Sequence, residues 1–543
     1  MFLLALLSAC AGDPVRPLRP NLVLISLDST RADQVGVYGH RPPLAPEERS
    51  TPSIDRLAAE GVLFETALAT TSWTLPSHVA LLTGTPDLVH GVELDGLRMG
   101  PRHVTLAEVL ARAGYRTTGF FSGPYLEPRF AFDRGFERYR ACYGPELTRA
   151  STADVAGDPK AERALEVASQ RDVSSPAVLA AALAELDQAA SDERPFFLFV
   201  HFFDPHYDYL PPEPFDRRFD PNYAGALDGR DFYRNPAIAT FDTSSESRRV
   251  RTVSDRDLAH LKALYSGDLA ATDAAVGTLL ARLDELGLGQ DTVVALVADH
   301  GDEFFEHDGI GHRRTLFEEV LRVPFVLRAP GRLEAGTRIS APVSTAAVAA
   351  TVLDLLGLEA PDSMTDASLA PVIAGASAPP GVLSRLVTRQ PARKTVEVGG
   401  GLVKVAVERI QVLETFRSGT LKLTRERTWT IPAEDAGDLL PDLLEEARRR
   451  RSEERLRWID LALDPDERGE DHSTDFEDPR ARAALDEFRA RYALLSKERL
   501  PAVLEEGRDY GAEVALRGLG YGGAATSGEV GGNDLQLPPP GDP

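Results

Sequence analysis

Apolar runs of strand length recur along the chain and alternate with helical patterns. Asn21–Leu27, Pro195–His201 and Thr292–Ala298 are almost continuously hydrophobic, which is typical of strands buried on both faces of a sheet. Arg116–Phe121 and Val323–Leu327 are weaker strand candidates. Helical periodicity predicts helices over Ile54–Glu60, Val104–Ala113, Pro176–Ala190 and about Ser254–Leu286. This alternation predicts an α/β fold whose mainly parallel sheet is flanked by helices.

The pattern changes near residue 385. Residues 395–430 contain four closely spaced strand-like runs with short turns, which indicates an antiparallel sheet. Two charged helices are predicted after it, over Glu434–Arg455 and Pro479–Ser496. The predicted organisation is a signal and linker over 1–20, a catalytic domain over 21–385, a smaller α+β subdomain over 386–500 and an acidic, Gly- and Pro-rich tail over 501–543.

The first twelve residues predict a targeting segment. The apolar run Phe2–Ala9 is too short to span a bilayer, which takes about 20 residues, and is similar to the apolar region of a secretory signal. Leu7-Ser8-Ala9-Cys10 resembles a bacterial lipobox, which implies that Cys10 is lipidated. We therefore expect a lipoprotein of the bacterial cell envelope, facing the periplasm or the surface, that touches the membrane only through this anchor. The alternative is an apolar terminus with a chance cysteine.

Composition narrows the function classes. The 543 residues are 43% hydrophobic, which is typical of a folded globular chain. The formal net charge of −24 argues against nucleic acid as a partner, since phosphate backbones bind patches of Lys and Arg. Two cysteines cannot build a disulfide framework or a Cys-type zinc site. Only six residues are lysines, and none precedes Lys160.

Polar side chains follow three of the predicted strands. Asp28 comes directly after Asn21–Leu27, Asp299 and His300 come after Thr292–Ala298, and His206 lies shortly after Pro195–His201. In open α/β sheets, ligands bind beyond the carboxyl ends of the strands, so a site is expected here. The plainer alternatives are a helix cap for Asp28 and a polar turn for Asp299 and His300. His201 directly follows the apolar residues of its strand, so the alternative for His201 is a side chain that faces the core.

Thr74 begins a segment that predicts a helix. Pro76 suits the first turn, and an apolar run leads to a stop at Gly84. A hydroxyl at a helix N-terminus faces unpaired N–H groups and the positive end of the helix dipole, both of which favour an anion. The local sequence alone favours a simple N-cap, so a catalytic role for Thr74 depends on the wider pattern.

The ordered set of motifs resembles the sulfatase family of the alkaline phosphatase superfamily. Each motif alone is weak, whereas their order along residues 20–500 is specific. The motifs are Asn21–Asp33, Tyr38-Gly39, Thr51–Ala58, Thr74–His78 with Leu81–Gly84, Phe196–His206, Ala298–Gly301, Gly311–Pro324 and Arg457–Glu467. The resemblance implies an alkaline-phosphatase-like fold and an ester hydrolase.

The resemblance also implies site residues. Asp28, Asp299 and His300 match positions that bind one divalent metal, and Thr74 takes the position of the nucleophile, itself in contact with that metal. Two carboxylates and an imidazole suit Mn²⁺, Zn²⁺, Ca²⁺ or Mg²⁺. Such an ion would lower the pKa of the Thr74 hydroxyl and polarise a substrate oxygen.

Three further histidines are candidates. His206 and His312 match family positions that contact the transferring group or assist the leaving group, and in some phosphoryl-transferring relatives these positions bind a second metal. His78 is a candidate for substrate binding because it follows the nucleophile motif. A plain structural role is the alternative for each. Tyr207–Arg249 is expected to line the substrate pocket.

Several positions depart from the family pattern. The family's sulfatases carry Cys or Ser, oxidised to formylglycine, where this chain has Thr74, and threonine cannot give that aldehyde. Ser29 replaces a second Asp, and His78 replaces an Arg. A phosphothreonine can be opened by in-line attack of water, so these departures favour phosphate over sulfate esters. The alternatives are a sulfatase without formylglycine, a transferase of phosphoryl-alcohol groups to glycan or lipid, and an inactive binding lipoprotein.

Overall fold

A large mixed sheet forms the centre of the molecule. The computed structural model describes residues 19–94, 97–144, 172–232, 235–241, 249–398, 401–432, 453–468, 476–500 and 502–504. Eight strands build the central sheet: β1 (Asn21–Leu27), β2 (Val62–Phe64), β3 (Arg116–Phe121), β4 (Arg138–Ala141), β5 (Phe196–Phe202), β6 (Thr292–Ala298), β7 (Phe325–Arg328) and β8 (Thr337–Ile339).

The most hydrophobic strands occupy the middle of this sheet. The spatial order is β8-β2-β7-β6-β1-β5-β3-β4, and every residue of β1, β5 and β6 is buried. These three strands pair in parallel, whereas β7 runs antiparallel to both β6 and β2. Parallel strands covered on both faces need apolar side chains on both, which explains the continuous runs in the sequence. The predicted α/β class with a mainly parallel sheet is confirmed.

Helices pack in two groups around the sheet. One group joins α1, α5 and α6, and the other joins α2, α4 and α8. The helices of the described residues are α1 (Pro52–Ala59), α2 (Thr74–Thr83), α3 (Asp87–His90), α4 (Leu106–Arg112), α5 (Ser175–Ala189), α6 (Asp255–Glu285), α7 (Glu318–Leu321), α8 (Ala347–Leu355), α9 (Ala370–Ile373) and α10 (Pro479–Lys497). The Ser254 side chain accepts a hydrogen bond from the Asp257 N–H, which caps α6 as its sequence predicts.

A second, antiparallel sheet follows the first. Its four strands are β9 (Val382–Val398), β10 (Gly401–Ser418), β11 (Leu421–Pro432) and β12 (Glu453–Asp460), in that spatial order. Helix α10 packs on this sheet through a small apolar core that includes Phe416, Leu423, Phe488 and Tyr492. The remaining strands are short: Ala67–Leu68, Leu97–Arg98, Ala239–Phe241, Arg249–Arg251, Glu303–Phe304, Ile310–Gly311, Arg322–Val323, Val343–Ser344 and Val503–Leu504.

Three local predictions need correction. The runs Leu402–Val407 and Ile410–Phe416, predicted as separate strands, form the single strand β10, because no turn residue lies between them. Pro324 splits the strand predicted over Val323–Leu327, since its nitrogen has no hydrogen to donate. The last three residues of the helix predicted over Glu434–Arg455 belong to β12, and most of that helix lies outside the described residues.

Other predictions fall beyond the described residues. Cys10, the rest of the predicted signal and most of the predicted tail lie outside them, so the lipid anchor stays a prediction. Among the helices that the structure describes, each is either too short or too polar to cross a bilayer. Cys142 is a buried free thiol, away from the segment that begins at Thr74.

Candidate active site

The carboxyl ends of β1, β5 and β6 bring the predicted polar residues together. The parallel register pairs Leu27 with Ala298, so Asp28 and Asp299 leave the sheet side by side. The Asp28 N–H donates to the Phe202 carbonyl at 2.9 Å, and the Asp299 N–H donates to the Leu27 carbonyl at 3.2 Å. These backbone bonds fix both carboxylates to the rigid centre of the sheet.

Asp28, Asp299 and His300 form a buried cluster suited to a cation. One ligand atom from each lies within 4.8 Å of the others. The Nδ1 of His300 lies 3.1 Å from the Gly301 carbonyl, which can only accept, so Nδ1 carries the proton and Nε2 offers a lone pair. Asp299 Oδ2 is buried without a hydrogen-bond partner among the described residues. A buried, unpaired carboxylate oxygen beside two other ligand atoms fits a divalent metal.

The electrostatics of the two carboxylates are unequal. Burial and the negative charge of Asp28 raise the pKa of Asp299 well above its ordinary range. Burial alone would raise the pKa of Asp28 as well, but the neighbouring imidazoles of His201, His206 and His300 lower it overall. Two adjacent buried carboxylates repel each other, and a bound cation would relieve that repulsion.

Thr74 places its hydroxyl against this cluster. It is the first residue of α2, and its Oγ1 lies 3.3 Å from His300 Nε2 and 3.5 Å from Asp28 Oδ2. The N-terminus of α2 adds the positive end of its dipole. Among the described residues, no side chain accepts a capping hydrogen bond from the first N–H groups of α2. The simple N-cap alternative for Thr74 therefore lacks the hydrogen bond that defines a cap.

His206 and His312 lie beside His300. The ring centroids of His312 and His300 are 4.4 Å apart, and those of His312 and His206 are 5.1 Å apart. His206 Nδ1 lies 2.6 Å from the Tyr207 carbonyl, and His312 Nδ1 lies 2.6 Å from Asp302 Oδ1. Burial lowers the pKa of His206 to about 4 and that of His312 to about 3. The structure therefore gathers both predicted histidines beside His300, a residue of the candidate metal cluster.

His78 lies behind the cluster. It is fully buried, with Nε2 2.9 Å from Ser26 Oγ and Nδ1 2.9 Å from the Thr74 carbonyl. Burial and the neighbouring His201 lower its pKa to about 3. These contacts with strand β1 and with the backbone of α2 do not favour the direct substrate contact expected from the sequence. His206 and His312, by contrast, lie beside the His300 ring, whose Nε2 the Thr74 hydroxyl contacts.

Asp302 and Tyr209, to which the sequence analysis gave no role, complete the site. Asp302 accepts from both His312 and the Tyr209 hydroxyl, the latter at 2.9 Å. Burial raises the pKa of Asp302 to about 6. The available signal was its place in Asp299-His-Gly-Asp302, directly after a strand. Tyr209 follows the motif that ends at His206 and carries no comparable signal.

The segment after His206 lines a cavity that is separate from this chemistry. About 640 Å³ lies among residues that include Leu210, Asp220, Tyr223 and His260. Its walls contain none of the predicted catalytic or metal-binding residues. This cavity does not test whether Tyr207–Arg249 lines the substrate pocket at Thr74, which stays a prediction.

The central sheet with its flanking helices and the smaller antiparallel sheet form an alkaline-phosphatase-like fold. A crystal structure of a phosphonate monoester hydrolase from Agrobacterium radiobacter matches with a TM-score of 0.60 and 20% identity, over 89% of this chain and 96% of that one. This match over most of both chains confirms the fold expected from the sequence.

The chain belongs to the sulfatase family: the family model named Sulfatase matches residues 20–358. An ulvan-active sulfatase from Formosa agariphila is 26% identical over 366 residues, which is 66% of this chain and 65% of that protein. A multifunctional alkaline phosphatase superfamily protein, PehA, from Trinickia caryophylli is 24% identical over 409 residues, covering 66% and 77% of the two chains. The resemblance seen in the motifs is thus confirmed at the level of the family.

Proposed function

We propose that this sulfatase-family hydrolase cleaves phosphate esters through a covalent intermediate on Thr74, with sulfate esters as the less favoured substrate. The observation that carries the proposal is the Thr74 hydroxyl itself, which contacts both Asp28 and His300 at the N-terminus of α2. Asp28, Asp299 and His300 would hold one divalent metal, which lowers the pKa of a nearby hydroxyl and offsets the charge of an anionic ester.

The chain's own residues account for both halves of the reaction. Thr74 Oγ1 bonds to phosphorus while the bond from phosphorus to the leaving oxygen breaks, and the hydroxyl proton passes to a neutral imidazole, that of His312 or His206. This imidazole then gives the proton to the leaving alkoxide and is neutral again. In the second half, water attacks phosphorus and loses one proton to the same imidazole, the bond to Thr74 breaks, and the imidazole returns the proton to the Thr74 oxygen as phosphate leaves.

Threonine is the reason for favouring phosphate. Formylglycine releases sulfate by elimination from the carbon that also bears a second oxygen, and a threonine side chain has no such oxygen. A phosphoryl group needs no elimination, because water can displace it in line. The likeness to a solved phosphonate monoester hydrolase is compatible with this substrate class, although at 20% identity that likeness concerns the fold.

A paired assay tests the proposal. Aryl phosphate, a phosphodiester and an aryl sulfate are offered to the metal-loaded wild type, to Thr74→Ala and to Thr74→Ser. We expect phosphate turnover that Thr74→Ala abolishes and Thr74→Ser largely keeps, with a phosphoprotein trapped by rapid acid quench in the wild type. Equal turnover in Thr74→Ala would refute the nucleophile, and a preference for the sulfate would reverse the substrate class.

One alternative keeps the same intermediate. If an alcohol rather than water opens the phosphothreonine, the chain is a phosphoryl-group transferase. Adding glycerol to the assay separates the two reactions, because transfer yields glycerol phosphate in place of free phosphate. The predicted envelope location is tested separately by labelling cells with a clickable fatty acid and comparing the wild type with Cys10→Ala.

A further inference from the structure

Each of the two liganding carboxylates keeps one oxygen fixed. Asp299 Oδ1 accepts from the Ser29 N–H at 3.1 Å and from the His300 N–H at 2.7 Å. Asp28 Oδ1 accepts from the Ser29 hydroxyl at 2.8 Å. Ser29 stands where the family pattern has a second Asp, so it stabilises the two remaining carboxylates through hydrogen bonds instead of adding a ligand.

The second oxygen of each carboxylate faces a buried histidine. Asp299 Oδ2 lies 3.5 Å from His78 Nδ1, and Asp28 Oδ2 lies 3.4 Å from His201 Nε2. All four side chains are fully excluded from solvent. The rings of His78 and His201 meet edge to face, with centroids 4.8 Å apart and planes at 88°. Two imidazoles thus form one layer directly behind the two carboxylates.

The orientation of His78 follows from its other contacts. Its Nδ1 faces the Thr74 carbonyl at 2.9 Å, which can only accept, so that nitrogen carries a proton. The same N–H lies beside Asp299 Oδ2, and Nε2 lies 2.9 Å from the Ser26 hydroxyl. One ring therefore connects the first turn of α2, a metal-binding carboxylate and strand β1.

The sheet register sets the position of His201. His201 pairs with Ser26 on the neighbouring strand β1, and Ser26 precedes Asp28 by two residues. Since the Ser26 hydroxyl contacts His78, the rings of His201 and His78 lie side by side. Neither ring nitrogen of His201 has a hydrogen-bond partner among the described residues. A fully buried imidazole with no hydrogen bond is costly, and at 3.4 Å the Asp28 carboxylate is an acceptor within a small adjustment of its Nε2.

We infer that His78 and His201 are positioning residues for metal binding, each holding the Oδ2 oxygen of one liganding carboxylate. A carboxylate oxygen has two lone pairs, so one can face a cation while the other accepts from an imidazole N–H. Such outer partners orient metal ligands, and their removal typically weakens metal binding about 10- to 100-fold. The inference rests on the proposed metal-dependent function, and it gives the departure from Arg at His78 a structural role.

Amide substitutions test each nitrogen separately. The Asn amide nitrogen reaches the position of a histidine Nδ1, and the Gln amide nitrogen reaches that of Nε2. We therefore expect His78→Asn to bind metal within about 3-fold of the wild type and His78→Gln to bind about 10-fold more weakly. At position 201 the order reverses: His201→Gln stays near the wild type, and His201→Asn loses about 10-fold.

The measurement is the Kd for Mn²⁺, from calorimetric titration of metal-stripped full-length protein, together with the visible spectrum of the Co²⁺ form. His103→Gln is the matched control, because His103 is a fully buried histidine whose ring bonds to the backbone of Gly100 and His90. Thermal unfolding of every metal-free variant reports its folding. Because each position has two amide variants, one poorly folded protein leaves the comparison at the other position intact.

The crossed order of Asn and Gln supports the inference. Equal Kd values for the two amides at both positions, or losses no larger than in His103→Gln, overturn it. Failure of the wild type to bind Mn²⁺ or Co²⁺ would instead remove the proposed metal-dependent function together with this inference. Normal binding by the wild type and by all four amide variants would overturn the positioning role alone.

Discussion

The Nδ1 of His312 lies 2.6 Å from Oδ1 of Asp302, so a buried carboxylate fixes the orientation of the imidazole nearest His300. An imidazole held in this way keeps Nε2 available for proton transfer. We expect His312→Gln to lower kcat about 100-fold, within the range for loss of a general acid. Asp302→Asn should lower kcat less, by about 10-fold, because the ring remains. The measurement is steady-state turnover of an aryl phosphate.

A double variant separates this pair from two independent effects. If Asp302 acts through His312, adding Asp302→Asn to His312→Gln changes kcat little further. A leaving group of low pKa should also rescue both variants, since it needs no proton. Multiplicative losses in the double variant would show that the two residues act separately.

Arg313 connects the loop of His312 with the segment before Thr74. The Arg313 guanidinium carbon lies 4.0 Å from the Trp73 ring centroid. The backbone N–H of Arg313 donates to the Ser72 carbonyl at 2.8 Å. This geometry places a positive charge one residue from the candidate nucleophile. We expect Arg313→Ala to raise KM for a doubly charged phosphate monoester about 10-fold, equivalent to ~1.4 kcal/mol, with a smaller effect on a phosphodiester.

The neighbouring Arg314 provides the control, because it is exposed and adjacent in sequence. Arg314→Ala should leave KM nearly unchanged at moderate salt, where charges on the surface are screened. Equal changes in KM for Arg313→Ala and Arg314→Ala would mean that only the overall charge of this loop matters.

A buried ion pair between Lys422 and Glu467 joins the second sheet to the start of α7. Lys422 Nζ lies 2.8 Å from Glu467 Oε2 and 3.3 Å from Glu318 Oε1, and the Glu318 N–H also donates to Glu467. Glu318 begins α7, whose Val320 carbonyl accepts from the Gly301 N–H beside His300. The structure thus links the small sheet to the candidate metal site through a short chain of contacts.

Removing the cation of this pair should destabilise the protein strongly. Lys422→Met leaves the buried Glu467 and the partly buried Glu318 without their cation, which costs about 3–5 kcal/mol. Arg338→Met is the control, because the pair of Arg338 with Glu65 is half-exposed and contributes about 0–1 kcal/mol. Urea unfolding measures both. A loss for Lys422→Met no larger than for Arg338→Met would show that the buried pair does not hold the two sheets together.

The sequence predicts elements best where one pattern decides the structure. Strands β1 and β6 have the predicted bounds because their side chains are buried on both faces. Asp28 and Asp299 each follow one of these predicted strands, and the parallel pairing of the two strands brings them together. Local patterns were sufficient for these features because the same residues that form the strand also specify its burial.

Other features depend on contacts between distant segments. Tyr209 reaches Asp302 across 93 positions, and Ser26 reaches His78 across 52, so neither partner is visible in a local window. The burial of His78 shows the difficulty. A polar residue near the start of a helix ordinarily faces solvent or ligand, whereas the contact with Ser26 of β1 holds His78 behind the candidate metal ligands.

Glu414 makes stability depend on acid pH. It is fully buried, its Oε2 lies 2.7 Å from Arg425 Nε, and its other contacts include Arg385 and Arg427. Burial alone would raise the pKa of Glu414, but the three guanidinium groups outweigh it and hold the pKa at about 2. The ordinary value is 4.5, so the unfolded chain binds this proton at a higher pH than the folded protein does.

The stabilisation is therefore fully present above pH ~4.5 and is lost as the pH falls towards about 2. We expect Glu414→Gln to be less stable than the wild type at neutral pH, because it leaves buried arginines without their carboxylate. Its free energy of unfolding should also fall less steeply between pH ~5 and ~3, by up to one proton in slope. Urea unfolding across this range measures the slope. Glu137→Gln, which removes a half-exposed carboxylate paired with Arg194, should keep the slope of the wild type. An unchanged slope in Glu414→Gln would mean that Glu414 binds its proton equally in both states, and acid sensitivity would then have to arise from another carboxylate with a lowered pKa, such as Glu306, where Arg31 and Lys262 outweigh burial and hold the pKa at about 2.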